Sequence, residues 1–140
     1  MHGEFSEAQV VTCDVADGSA EVNENDALVL VGDRTVRVAD QDGEEWHGVA
    51  EGPPKSKPGG GQYVAVELKG ARNANVAAEY DDDNDDTTAD VAVEAPATLV
   101  PNGNDGELRP TRDGESGASG LDGLLMAAPG ADGHGLVLIR

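Results

Sequence analysis

The most chemically suggestive residues in this chain are aspartates, clustered in the stretch DDDNDDTTAD that begins at Asp81. Hard cations prefer clustered carboxylate oxygens, which makes Asp81, Asp83 and Asp85 weak cation candidates. A calcium loop started at Asp81 departs from the EF-hand pattern. Its sixth position is Asp86 instead of the turn-making glycine, and its twelfth is Ala92 instead of the chelating glutamate. The plainer reading is a solvated acidic loop that holds hydrated cations loosely, with a cation shared between subunits as the alternative. His47 and His134 each precede a glycine, but neither a cysteine nor a His-Glu-x-x-His spacing accompanies them. They read as surface or turn histidines, and no resident metal or cofactor is expected.

Nucleophilic chemistry finds no support either. Ser6, Ser19, Ser56, Ser116 and Ser119 all lie outside a Gly-x-Ser-x-Gly elbow. The triplet Gly59–Gly60–Gly61 is followed by neither Gly-Lys-Ser/Thr nor a helical pattern, so it is not a phosphate loop. With no acid, base and orienting group in view, no enzymatic activity is expected. What remains are candidates for contact. Lys55 and Lys57, two of three lysines, sit in a Pro/Gly-rich segment where a local positive spot would suit an acidic partner. Trp46, the only tryptophan, reads either as a core plug or as an interface anchor. Phe5 lies in a polar leader, residues 1–8, that reads as an extended arm. Cys13 has no cysteine partner and reads as a small buried hydrophobe on a strand.

The elements that must position these residues are short strands. Between Asp26 and Ala50 two apolar runs, Ala27–Val31 and Val36–Ala39, flank a turn at Gly32–Asp33–Arg34, and Asp42–Gly43 leads to a third run at Gly48–Ala50. About seventy residues on the pattern recurs. Ala97–Val100 lines up with Ala27–Leu30, Leu108–Arg109 with Val36–Arg37, and Asp113–Gly114 with Asp42–Gly43. Each unit is followed by a further apolar run, Tyr63–Leu68 and then Leu136–Ile139. Six Asp-Gly pairs, which tolerate positive φ, punctuate the chain as turns. Thr35–Ala39 alternates as a half-buried strand does. Residues 52–62, GPPKSKPGGGQ, read as a projecting loop without regular structure, and Ala74–Tyr80 is too short for a stable helix. The expectation is an all-β fold of about ten strands: a small β-barrel or sandwich built from a degenerate two-fold repeat, with long irregular loops. A single domain over residues 9–140 would hold repeat halves at about 20–70 and 90–140.

Composition sharpens the setting. The chain has 28 acidic and 9 basic residues, a formal charge of −19; sixteen of the acids are aspartate. Self-repulsion of that size opposes folding and assembly in dilute buffer. Near 1 M salt the Debye length is about 3 Å and most of it is screened. High aspartate with few lysines matches the proteins of salt-accumulating haloarchaea or their viruses. The same charge disfavours nucleic-acid phosphates as a partner. No apolar run approaches the roughly 18 residues that would cross a membrane, and the MHGEFSEAQ leader lacks the features of a signal peptide.

The order of segments resembles a family. A D-A-L-V-L unit is followed by V-R-V-A-D, G-V-A and Y-V-A-V-E-L; the second half offers A-T-L-V-P, D-G-E-L-R-P, G-L-L-M-A-A-P-G-A and L-V-L-I. This is similar to the small capsid decoration, or cement, proteins of tailed viruses. The resemblance implies a β-barrel-like domain, often a homotrimer, seated on the outer capsid surface and clamping neighbouring copies of the major capsid protein, with no catalytic residues. In that reading Phe5, Trp46, Lys55 and Lys57 are the capsid or partner contacts. The chain would be made in the host cytoplasm and end in the virion. The alternative is a haloarchaeal cell-surface or secreted β module that binds protein or sugar.

Overall fold

A computed structural model describes residues 9–82, 89–112, 123–130 and 133–139. These residues form twelve strands and no helix: β1 (Gln9–Val15), β2 (Ala27–Gly32), β3 (Thr35–Val38), β4 (Gly48–Ala50), β5 (Lys55–Ser56), β6 (Gln62–Asn75), β7 (Glu79–Tyr80), β8 (Val91–Ala92), β9 (Ala97–Pro101), β10 (Leu108–Pro110), β11 (Gly123–Ala127) and β12 (His134–Ile139). The alternation in β3 works as expected, with Val36 and Val38 buried and Thr35 and Arg37 half-exposed. Residues 52–62 are more regular than their composition suggests. Lys55 and Ser56 pair with Tyr63 and Gln62 across a turn closed by Lys57 and Gly61. Pro53 and Pro54 precede the paired residues, so the ladder loses no donor to them. Ala74 and Asn75 end β6 instead of starting a helix.

The main sheet reads β3-β2-β4-β6-β12-β11-β9-β10, with β1 joined to β3 at one end. That order is a palindrome: β3, β2, β4 and β6 correspond to β10, β9, β11 and β12. Register supports the match pair by pair. Leu28↔Val38, Val29↔Arg37 and Leu30↔Val36 in the first hairpin stand where Leu99↔Pro110, Val100↔Arg109 and Pro101↔Leu108 stand in the second. Ala27↔Val49 corresponds to Thr98↔Leu124, and Ala50↔Val66 to Leu125↔Val137. The fold is therefore an internal duplication. It corrects the sequence alignment at one place: Ala27 is matched by Thr98, not Ala97, so β2 and β9 slip by one residue. The match of Val36–Arg37 with Leu108–Arg109 holds, and Asp113–Gly114 lies outside the described residues.

Each unit curls into a barrel. β1 pairs antiparallel with the first part of β6 and parallel with β3, which closes the first barrel as β1-β3-β2-β4-β6. In the second unit the place of β1 is taken by the last part of β6. It pairs antiparallel with β12 from Gly70 to Asn75, and Val76 forms a parallel bridge to Leu108 as Val15 does to Val36. β1 thus belongs to the first unit, and β6 to both. Fourteen residues of β6, at about 3.3 Å each, run roughly 45 Å, enough to serve two barrels in turn. The handover falls between Lys69, opposite Gln9, and Gly70, opposite Ile139. Gly70 has φ 122°, a conformation that a side chain would resist, and lets the strand bend there.

Two apolar clusters result. Cys13, Val22, Leu28, Val36, Val38, Ala50, Val64 and Val66 line the interior of the first barrel. The second cluster holds Ala74, Val76, Val93, Leu99, Leu108, Leu125, Val137 and Ile139, joined by Trp46 and by Ala27, Val29 and Val49 from the first unit. Val22 and Val93, each in the connection ahead of the repeated hairpin, are counterparts that plug one barrel apiece.

Candidate functional site

The first barrel is not full. At one end lies a pocket of about 300 Å³, lined by apolar side chains from β1 (Val11, Cys13), β2 (Leu28, Leu30), β3 (Val36) and β6 (Val66, Leu68), with Gly48 in its wall. Its rim carries Asp33, Arg34 and His47. The opening exists because β4 is only three residues long and pairs with β2 at Ala27 and Leu28 alone. Beyond that point the edge of β2 has no strand beside it. The His47 ring stands in: Leu30 N–H donates to Nδ1 at 2.9 Å, which leaves Nε2 to face Glu45 Oε1 at 2.7 Å. Leu30 is consequently 47% exposed at the mouth.

The matching end of the second barrel is covered differently. The Trp46 side chain is completely buried, and its Nε1–H donates to the Leu99 carbonyl at 3.0 Å. A Cβ on Gly123 would overlap the Trp46 ring, so the indole rests directly on that backbone. Leu99 and Gly123 are the counterparts of Leu28 and Gly48, both of which line the open pocket. One barrel is sealed by an aromatic ring borrowed from the β3–β4 connection of the other unit. In the first barrel the matching wall at Gly48 is covered by its own unit's Val66 and Leu68, which a Cβ there would crowd, and the pocket opens beside them.

Charge around the pocket is sparse and specific. Arg34 donates from Nη2 to the Thr12 carbonyl at 3.0 Å and has no ion-pair partner among the described residues. Burial pushes the Cys13 thiol up, with Arg34 acting in the opposite sense. A thiol so held is a poor nucleophile.

Elsewhere buried charge ties the units together. Arg109, almost wholly buried, donates to Asp42 at 3.0 Å, and Arg112 reaches the other Asp42 oxygen at 3.1 Å. Burial acts to raise the Asp42 carboxyl, but the two arginines outweigh it and hold it below the usual range. Arg37, the counterpart of Arg109, grips Glu44 and Asp40 within its own loop. Desolvation likewise loses at Glu44, where Arg37 and two backbone donors hold the carboxyl low. Asp26 and Glu67 behave oppositely: burial raises both. Asp26 is well hydrogen-bonded, to Asn23 N–H and Asn75 Nδ2, whereas Glu67 Oε2 is buried without a partner.

The residues singled out in the sequence end up in different places. Trp46 is core and presents nothing to a partner, since its side chain has no exposed surface. Lys57 ion-pairs with Asp14 at 3.1 Å, while Lys55 is exposed on β5. Asp81 accepts a hydrogen bond from Arg112 through its main-chain carbonyl, at 2.7 Å. Phe5, Asp83 and Asp85 lie outside the described residues. Among the described residues no three His, Cys, Asp or Glu side chains stand close enough to hold a metal ion. The pocket itself has little sequence signature, because it arises from a short strand and an unfilled volume instead of from a motif. No protein-family model and no curated protein matches this chain.

Proposed function

We propose that the chain is a structural virion protein, a decoration protein on the outer capsid surface of a virus that infects a haloarchaeon. The reading is carried by the order of the segments DALVL, VRVAD, GVA and YVAVEL and their repetition, which resemble the capsid cement proteins of tailed viruses. Two further features support it. A closed, duplicated β core gives a rigid block for clamping neighbouring capsid subunits, and a charge of −19 suits a particle built in concentrated salt. In this mechanism binding energy comes from surface buried at lattice junctions, with the major capsid protein as partner and three copies around a junction. Exposed Lys55 and the exposed apolar side chains Leu30, Val31 and Met126 are available for such contacts.

A second reading, a haloarchaeal cell-surface or secreted β module, is favoured by the open pocket of the first barrel. The apolar lining suits a protein side chain better than a sugar. Cosedimentation of the purified chain with capsids above about 1 M salt separates the two, followed by cryo-EM of the pellet. Density on the capsid exterior at lattice junctions is expected. Capsids that leave the chain in the supernatant, and virions that carry no such density, overturn the first reading.

A further inference from the structure

Arg34 occupies a turn position that favours glycine. The Asp-Gly turns at Gly18, Gly43, Gly106 and Gly133 each hold their glycine at positive φ, a conformation that is costly for a residue with a Cβ. The turn between β2 and β3 reads Asp33–Arg34 instead, and Arg34 takes φ 49°. Strain of this kind persists where a side chain is needed in place. We propose that the mouth of the first barrel binds a small aliphatic carboxylate, with the chain in the apolar pocket and the head group on Arg34. The inference is independent of any role on a capsid.

Three observations converge on it. The first is the cavity. Its volume of about 300 Å³ falls at the lower end of small-molecule sites and is about twice that of an apolar cavity that accepts benzene. That is room for about ten to twelve heavy atoms, and the walls are Val11, Leu28, Leu30, Val36, Val66 and Leu68. The second is how the arginine is held. Its main-chain carbonyl accepts from Asp14 N–H at 2.7 Å, and its Nη2 donates to the Thr12 carbonyl at 3.0 Å. Both bonds go to β1, so the guanidinium is pinned on the rim before a ligand arrives. Its other donors pair with no carboxylate among the described residues, in a chain that has 28 acidic side chains. An incoming carboxylate therefore breaks no ion pair to reach the fork. The third is the sign of the field. The rim also carries Asp33 and His47. The charges that act on the Cys13 thiol inside are those of Arg34 and Asp14, not that of Asp33, and Asp14 is paired with Lys57 at 3.1 Å. Both His47 nitrogens are engaged, by Leu30 N–H and by Glu45. Arg34 is left as the head-group partner, beside apolar walls that strengthen a charged hydrogen bond.

The probe is octanoate, titrated into the full-length chain above about 1 M salt and followed by methyl NMR. Saturable shifts are expected at the six wall residues, with a dissociation constant of about 0.1 mM. Octanol, which carries a similar chain and no charge, should bind about tenfold more weakly. Arg34→Gln should cut octanoate affinity by about tenfold and leave octanol unchanged, which also shows that the variant is folded. Leu30→Trp, which closes the mouth from a half-exposed position, should abolish binding of both. Absence of saturable shifts, or shifts centred outside the pocket, overturns the site. Equal affinity for octanoate and octanol in the unaltered chain overturns the head-group assignment. Tighter binding of acetyl-Leu-Leu with a free carboxylate overturns the small acid in favour of a protein C-terminus.

Discussion

The first barrel and the second barrel have the same strand order, the same pairing register and a wall glycine at the same position, yet they solve the problem of filling a small lumen differently. The second uses large residues, Leu108, Leu125 and Ile139, and imports Trp46 across the boundary between units. Its counterpart positions in the first barrel are Val36, Ala50 and Leu68, and the wall at Gly48 is covered by Val66 and Leu68 instead of a borrowed ring. Duplication therefore conserved the frame and let the contents diverge. One copy became the stability core. The other was left with a mouth.

The largest effect expected from this asymmetry is that of Trp46→Ala, which should cost about 3–5 kcal/mol in denaturant unfolding followed by circular dichroism. A cost below about 1 kcal/mol would show that the ring does not fill the second barrel. Next in size, Gly123→Ala forces a methyl group into the indole and should cost about 1–3 kcal/mol. In the Trp46→Ala background that cost should largely vanish, and strictly additive effects would remove Trp46 from this wall. A smaller, reciprocal pair tests the comparison from both sides. Leu108→Val should cost about 0.5–1.5 kcal/mol, whereas Val36→Leu adds a methylene to open space and should gain up to about 0.8 kcal/mol. Destabilisation by Val36→Leu would mean that the first barrel is already full.

The smallest effect concerns acidity at the junction. Glu67, whose counterpart is Leu138, has a raised folded-state pKa because it is buried. The folded state then holds its proton longer than the unfolded chain does. The stability contributed by this group is greatest below the ordinary carboxylate range and declines as pH rises from there through the raised value. Glu67→Gln should flatten that decline and gain about 0.5 kcal/mol at pH 7, since relief of the buried, unpartnered Oε2 is partly offset by the weakened pairing of Oε1 with Arg72. Asp42 and Glu44 run the other way, losing their stabilising pairs as pH falls through their lowered values. A steeper midpoint-versus-pH curve in Glu67→Gln would contradict the assignment.

Strand identity was legible because runs such as Val36–Ala39, Tyr63–Leu68 and Leu136–Ile139 alternate or stay apolar between Asp-Gly turns. The duplication was legible for the same reason. Its register slipped where the alignment leaned on Ala27 and Ala97, residues too small to carry much packing information; Leu28–Val29 against Leu99–Val100 is the match that register selects. The double use of β6 was hidden, because a strand that serves two barrels looks in sequence like one strand followed by a linker. So was the pocket. Trp46 could be suspected of a core role, but nothing in its neighbourhood says that it belongs to the other unit's core.

The position of β12 has a consequence for how the molecule is made. As residues 9–75 emerge from the ribosome they contain every strand of the first barrel, which can close at once. The second barrel requires β12, residues 134–139, because that strand lies beside β6 in the middle of the sheet. Trp46 therefore spends the interval on a finished barrel with its own shelter not yet synthesised. Its burial marks the moment of completion, and its fluorescence is a built-in timer for the last step of folding.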